Sequence, residues 1–549
     1  MLIIPKVNGV NQRHDTGFYL LKDRMQVNMG DWEPWVVRVF ADRVERSCGT
    51  TVSITGGSAD LVLARNEHLE PEAYELDILS DTIKVSASTE RGMIWGLTTV
   101  HQLITEAKPQ HEGRIALQSF ADSPKYVHRG LHIDVARHFF GPEEMKRIIE
   151  EMSVYKLNVL HWHLTDDQGW RIESKVYPKL HEQASNGQYY TQEQVRDIVE
   201  FAKVRGVEVI PEIDMPGHTS AAIAAYKELS CFNEEISLQE KYGVFRVVMC
   251  PGKESTYEWI FHLLDEVTEL FPSKYFHIGG DECPKDKWRD CPHCQERMRE
   301  HGIENLDDLQ GYFTNEISQY LCKKGKTVIG WNDVLKASDV SEDMVVQYWL
   351  ESTPESYTYP YFVQGQKMIF SDMFSMYFDY PHCMVKLRKT YEYEPKIRDH
   401  AGLKGDHILG LEGATWTERI ITGEQLESMI ALRIQALSEA AWTIDRDYDD
   451  FLKRLQAHVR TGIVGLHALP FDEVALTDDQ AMLKALQMMK AMADATKNSI
   501  QDTGLSDDEH KRISDMFMAE MFGGVDPREV ASRLGLTGKQ VNLIDRQER

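Results

Sequence analysis

Residues 275–282 read Tyr-Phe-His-Ile-Gly-Gly-Asp-Glu. A short run of strand-forming residues breaks into two glycines and then two carboxylates. In a regular strand neighbouring side chains point to opposite faces. Asp281 and Glu282 can therefore serve one site only if the backbone leaves regular extension just before them, and Gly279 and Gly280 permit that departure. Working outward, the same pattern recurs: a short apolar run, a polar end, then a helical stretch. The other runs begin near Gly130 (GLHIDVA), Leu157 (LNVLHWHL), Val207 (VEVIPEI), Thr327 (TVIGW), Met344 (MVVQYWL), Lys367 (KMIFSDM) and His407 (HILGLEG). Helical periodicity lies between several of them, at 142–155, 192–205, 255–270 and 309–324. Eight such units predict an α/β fold, a (β/α)8 TIM barrel over residues 123–455, with functional residues at the C-terminal strand ends.

Polar and aromatic residues do collect at those ends. They include Arg137, Asp166 with Asp167, Asp214 with His218, Asp281 with Glu282, Trp331 with Asp333, Trp349, Tyr377 with Asp379, and Trp416 with Glu418. Carboxylates beside tryptophans point to sugar chemistry, because indole packs on the apolar face of a sugar while its hydroxyls need charged partners. Glu282 suits a general acid. Asp281, its direct neighbour, is badly placed to be a second, independent nucleophile. That favours a reaction in which the substrate supplies the nucleophile and Asp281 orients it. His161 and His163 share one face of the second strand and read as paired core histidines. Trp162 and Trp170 are candidates for core or sugar platforms.

Taken together, the segments Arg129–Phe139 (RGLHIDVARHF), His161–Trp170 (HWHLTDDQGW), Pro211–His218 (PEIDMPGH) and His277–Glu282 (HIGGDE) resemble the β-N-acetylhexosaminidases of glycoside hydrolase family 20. The resemblance implies a barrel enzyme releasing terminal β-linked GlcNAc or GalNAc from an oligosaccharide or glycoconjugate, through an oxazolinium intermediate. It implies Glu282 as acid/base, Asp281 orienting the 2-acetamido group and Tyr377 as donor to its carbonyl. It gives Trp331, Trp349 and Trp416 as acetamido-pocket walls, Arg137, Asp379 and Glu418 as hydroxyl partners, and Asp166 with His218 as a pair tuning the Glu282 proton. A catalytically silent glycan-binding protein on this scaffold would lack the acid or the orienting carboxylate, and both are present. An enolase-type site would need a Lys base at a strand end, where none stands.

The rest of the chain is read from pattern and composition. Residues 1–122 predict a small α/β accessory domain, with a hairpin across Ser80-Asp81 and a helix over 92–107. Residues 456–549 predict a helical C-terminal region with a Met-rich stripe over 480–496, a packing surface. The segment from Asp526 has a faint helix-turn-helix look at near-neutral charge. In 549 residues, 61 Lys+Arg against 87 Asp+Glu leave a net charge of −26, which excludes a general polyanion binder and nucleic acid as partner. No apolar run approaches the ~18 residues of a membrane span. The apolar start MLII stops at Pro5, too soon for a leader, so the sequence reads as cytoplasmic if Met1 is the natural start and as secreted if a leader precedes it. Eight cysteines form no disulfide framework. Cys291-Pro-His-Cys294 has no matching second pair, so neither a metal nor a cofactor is expected, and Cys231 and Cys250 read as free thiols. Cys283 sets a thiol directly beside the acid/base residue.

Overall fold

The computed structural model describes residues 2–11, 17–110, 112–351, 356–398, 400, 402–478, 480, 481, 484 and 485. Eight parallel strands close into a barrel: β1 (His128–Asp134), β2 (Val159–His163), β3 (Glu208–Glu212), β4 (Tyr275–His277), β5 (Thr327–Trp331), β6 (Val345–Tyr348), β7 (Met368–Phe370) and β8 (Ile408–Thr415). Each coincides with one of the eight runs. Closure is made by β1 against β8, with Gly130 opposite Glu412. The expected helices appear at Pro142–Val154, Gln192–Lys203, Glu254–Leu270 and Leu306–Lys323. Two of them start on side-chain caps: Thr191 in a capping box, and Asn305 accepting from the Asp308 amide at 2.8 Å.

Strand alternation sorts the barrel into two very different faces. Outward-facing Leu131, Ile133, Leu160, Trp162, Val209, Phe276, Val328, Val346 and Leu411 pack with the surrounding helices into the main apolar core. Inside, only the lowest layer is apolar, built from Val159, Ile210, Ile329, Val345 and Ile369. Above it stand buried His161, Glu212, His277, Gln347 and Glu412. His161 bonds Glu412 at 2.7 Å and meets Glu212 at 3.2 Å, His277 meets Glu212 at 3.0 Å, and Gln347 donates to Glu412 at 2.7 Å. Burying charge is tolerable only when it is paired in this way. Despite desolvation, the flanking Glu412 and Glu212 hold His161 up at about 9, so its two pairs are ionic, whereas desolvation lowers His277 and keeps it neutral. His161 and His163 are thus paired core histidines as expected. Trp162 and Trp170 are fully buried and belong to the core, not to a sugar platform.

Ahead of the barrel lies a seven-stranded sheet covered by the helices Pro34–Cys48 and Glu90–Gln110. The expected hairpin is there, as Tyr74–Ile78 against Ile83–Ala87. This layer is clamped to the N-terminal ends of the barrel strands. Asn158 donates to Glu72 at 2.9 Å, Lys156 lies 3.4 Å from Asp122, and the Trp442 indole donates to Asp122 at 3.1 Å. It therefore braces the face opposite the strand ends where function was expected. A short helix, Phe471–Val474, follows the barrel. Most of the Met-rich stripe over 480–496 and all of the segment from Asp526 lie outside the described residues. No described helix is long and apolar enough to cross a membrane.

Candidate active site

The turn after β4 sets the two carboxylates. The strand ends at His277, and Gly279 and Gly280 follow with φ of 68° and 100°. Hydrogen bonds hold the turn, one of them from Gly279 N to His277 Nδ1 at 3.0 Å. Trp331 N donates to Gly279 O at 3.0 Å, Gln310 Nε2 to Gly280 O at 2.7 Å, and Gly280 N to Asp214 Oδ1 at 3.1 Å. A Cβ on Gly279 would stand 1.7 Å from that same carboxylate oxygen, so no other residue fits. Glu282 itself is left-handed, with φ 44°, and so is His218, with φ 51°. Non-glycine residues in this region each cost about 1–3 kcal/mol and cluster at functional sites.

The Asp281 side chain is 11% exposed, whereas the Glu282 side chain is 33% exposed. One imidazole nitrogen reaches both: His218 Nε2 lies 3.8 Å from Asp281 Oδ2 and 3.6 Å from Glu282 Oε2. The two acids therefore sit on one side of the site. The other ring nitrogen, Nδ1, lies 3.3 Å from Asp166 Oδ1 and 3.2 Å from Asp167 Oδ2. Asp166 Oδ2 in turn meets Arg137 Nη2 and His163 Nε2, both at 2.8 Å. Burial opposes charge on these groups, but the ion pairs win. His218 is held well above the ordinary histidine range by Asp166, and Asp166 below the carboxylate range by Arg137 and His218. His218 is thus a cation next to the reactive pair.

Arg137 is fixed at the end of β1. Its guanidinium lies 3.4 Å from Asp134 and 5.0 Å over the Trp416 ring, and its Nε donates to Gln168 at 3.2 Å. Asp134 is a structural anchor. It accepts from the Ala136 and Arg137 amides and from Thr417, tying the ends of β1 and β8 together. Tyr377 reaches the mouth because the chain turns through Met373–Met376 after β7 and then pairs again with β8, Tyr377 bridging to Ala414. There it stacks with Trp349, centroids 6.3 Å apart, and lies 6.4 Å from Trp416. The Trp349 indole donates to Asp333 at 2.8 Å, so Asp333 aims that wall. Trp331 differs from its two partners. It is fully buried, its indole donates to Glu212 at 2.9 Å, and it lies 5.7 Å from Trp416, as a floor rather than a side wall.

Several buried acceptors have no hydrogen-bond partner among the described residues: Asp281 Oδ1, Asp379 Oδ1 and Asp214 Oδ2. Unsatisfied buried oxygens are costly, and here they cluster where a polar ligand would bind. Burial, aided by neighbouring carboxylates, pushes Asp281 up to about 7 and Asp379 up to about 8, and raises Glu418. The sign of the stability effect follows. An unfolded Asp titrates near about 3.9, so folding favours the protonated acid. That contribution is fully present below the unfolded value and is lost as pH rises through about 7 for Asp281 and about 8 for Asp379. Asp379→Asn, which stays neutral, is therefore expected to gain Tm relative to the unsubstituted chain as pH is raised from about 5 to about 8.5. A Tm difference that stays flat across this range would count against the raised value.

Every residue proposed from the sequence lies at this one end of the barrel. Asp214, Asp333 and Asp167 also belong to the arrangement. They stood among the strand-end residues, but nothing local marked the Asp214–Gly280 or Asp333–Trp349 contacts. Cys283 offers little reactivity. Its half-buried thiol is pushed up to about 12 by desolvation, which leaves almost no thiolate near neutrality.

Residues 126–445 match the family described as "Glycosyl hydrolase family 20, catalytic domain", and residues 1–123 match its "domain 2". The chain belongs to glycosyl hydrolase family 20. It is similar to a β-hexosaminidase of Porphyromonas gingivalis, 34% identical over 79% of this chain and 60% of that relative's length. Among solved structures it is similar to the exo β-N-acetylglucosaminidase of Vibrio harveyi in complex with N-acetylglucosamine, with 30% identity and a TM-score of 0.75 over 86% of this chain and 78% of that one. It is also similar to the β-N-acetylhexosaminidase of Bacteroides fragilis, with 26% identity and a TM-score of 0.77 over 86% and 99% of the two chains. In this family 20 glycoside hydrolase the barrel and the preceding layer correspond to the two matched segments.

Proposed function

We propose that the protein is an exo-acting, retaining β-N-acetylhexosaminidase that removes terminal β-linked GlcNAc or GalNAc from oligosaccharides or glycoconjugates. The observation that carries this reading is the geometry of Asp281. It is a buried carboxylate with an unpartnered oxygen, on the same side of the site as the more exposed Glu282. Two-carboxylate retaining enzymes flank the glycosidic bond with acids about 5–5.5 Å apart. Two adjacent residues sharing one imidazole nitrogen suit a different division of labour. Asp281 accepts the acetamido N–H and turns the carbonyl oxygen toward C1, while the Tyr377 hydroxyl donates to that oxygen. Glu282 protonates the departing glycosidic oxygen. The bond to C1 breaks as the acetamido oxygen forms a new one, giving an oxazolinium ion whose positive charge the Asp281 carboxylate offsets. Glu282, now a carboxylate, takes a proton from water as the water attacks C1 and reopens the ring with net retention.

The surroundings support each part. Trp349, Trp416 and Trp331 make a box that keeps bulk water off the cation. In this reading Arg137, Asp379 and Glu418 hold the sugar hydroxyls. The Arg137 fork is already committed to Asp134 and Asp166, which fixes its orientation before substrate arrives. A paired assay tests the reading. An aryl N-acetyl-β-glucosaminide is expected to turn over far faster than the matching aryl β-glucoside, and NMR is expected to show the β-anomer released first. Equal rates on the two glycosides would rule out assistance by the acetamido group.

A further inference from the structure

Four cysteines converge where the sequence pattern showed only one C-x-x-C. Cys231, Cys250, Cys291 and Cys294 are all buried, with their sulfurs within 4.8 Å of one another. Sγ–Sγ distances are 3.8 Å for Cys231–Cys294, 3.8 Å for Cys250–Cys291 and 3.6 Å for Cys250–Cys294. The expectation that this C-x-x-C lacks a second pair is therefore corrected. The fold supplies two single cysteines from a loop far upstream.

We infer that these four residues form a structural tetrathiolate site for zinc. The geometry carries the inference. Zinc bound by four thiolates has Zn–S of about 2.3 Å, and a tetrahedron of that radius has S–S edges of roughly 3.8 Å. These three separations match those edges, the other three fall within 4.8 Å, and all three measured ones far exceed the ~2.05 Å of a disulfide. The backbone is arranged around the cluster. A bridge between Ser230 and Met249 sets Cys231 and Cys250 side by side, and Cys250 N donates to Leu229 O at 2.8 Å. Gly252 lies so close to the C-x-x-C turn that a Cβ there would stand 2.2 Å from the His293 carbonyl carbon. Cys291 stands at the N-cap position of the ten-residue helix Pro292–His301 and Cys294 lies in its first turn, where the helix dipole favours thiolate. Lys253 donates to Glu228 O, Ser230 O and Asn233 Oδ1, fastening the turn that carries Cys231. Val248, Trp288 and Leu309 seal the cluster from water.

On binding, the four thiols lose four protons and the metal complex carries two negative charges. The site closes completely, with no open coordination position, so its role is to hold structure. What it holds is the active-site rim. Cys283, next to Glu282, packs against the same cluster, and Met249 N donates to Pro216 O at 3.0 Å, two residues before His218. The zinc would staple the β3 and β4 loops that present His218 and Glu282.

The full chain, purified after growth in zinc-supplemented medium, is expected to contain one zinc per chain by elemental mass spectrometry. Growth in cobalt is expected to give the visible d–d and thiolate charge-transfer absorption of a tetrahedral cobalt thiolate. Cys250→Ser and Cys294→Ser are expected to lose the metal, whereas Cys322→Ser, at an exposed thiol, keeps it. The cobalt spectrum of the unsubstituted chain needs no variant to fold. Metal content is also independent of turnover, so its result stands apart from that of the glycoside assay. A chain that binds neither metal and titrates as free thiols would overturn the inference. So would an unreduced mass two or four daltons light, which would show disulfides in its place.

Discussion

Asp281→Asn is expected to lower kcat on an aryl N-acetyl-β-glucosaminide by roughly 10²–10³-fold, about 3–4 kcal/mol in barrier, the scale found on removing one preorganised partner of a developing charge. The amide can still accept the acetamido N–H through its carbonyl. It cannot offset the positive charge of the oxazolinium, and its NH2 can turn toward the incoming oxygen and misalign it. Asp281 is buried, and desolvation already pushes its carboxyl up to about 7. Its charge is therefore poorly stabilised in the free enzyme and is best satisfied when a cation forms beside it, which is differential binding of the transition state. The ground state loses much less, so KM is expected to move by a few-fold at most. A kcat within tenfold of the unsubstituted chain would remove Asp281 from the reaction.

Glu282→Gln is expected to show a loss that depends on the leaving group. With a poor leaving group such as a second sugar, protonation of the glycosidic oxygen is needed for bond cleavage. General acid catalysis contributes typically 10²–10⁴-fold, and the variant is expected to lose on that order. With a dinitrophenyl leaving group the bond breaks without proton donation, so formation of the oxazolinium survives. The residual defect then lies in the second step, where the base that activates water is missing. Azide, which needs no base, is expected to restore part of the rate on the dinitrophenyl substrate. An equal loss on both substrates, with no rescue by azide, would mean that Glu282 is not the acid.

How much was legible differs from element to element. All eight barrel strands were, because each is a short local run with its own breaker. The departure from extension at Gly279-Gly280 was legible as well, since only a turn there lets adjacent carboxylates serve one site. The tryptophans at the ends of β5, β6 and β8 could be placed by counting from the strands. The barrel interior was not legible. The eight runs read as apolar, yet Glu212, His277 and Glu412 join His161 in the middle. Their pairing depends on which strand lies across the barrel, and that is a matter of register. Trp331 likewise looks from the sequence like its two partners, and only its bond to Glu212 shows it to be a floor.

The sequence by itself determined the fold, the end of the barrel that works, and the residues that stand there. These follow from local periodicity, glycine placement and the order of four short motifs. Tertiary structure decided how those residues are wired. It brought one imidazole within reach of Asp281 and Glu282, braced the glycine turn with Asp214, and gathered Cys231 and Cys250 to a C-x-x-C about forty or more residues away along the chain. The physical reason is range. Strand and turn preferences act over a few residues and leave a trace in the sequence. Contacts between charges or thiols on separate loops exist only once barrel closure has set the distance between them.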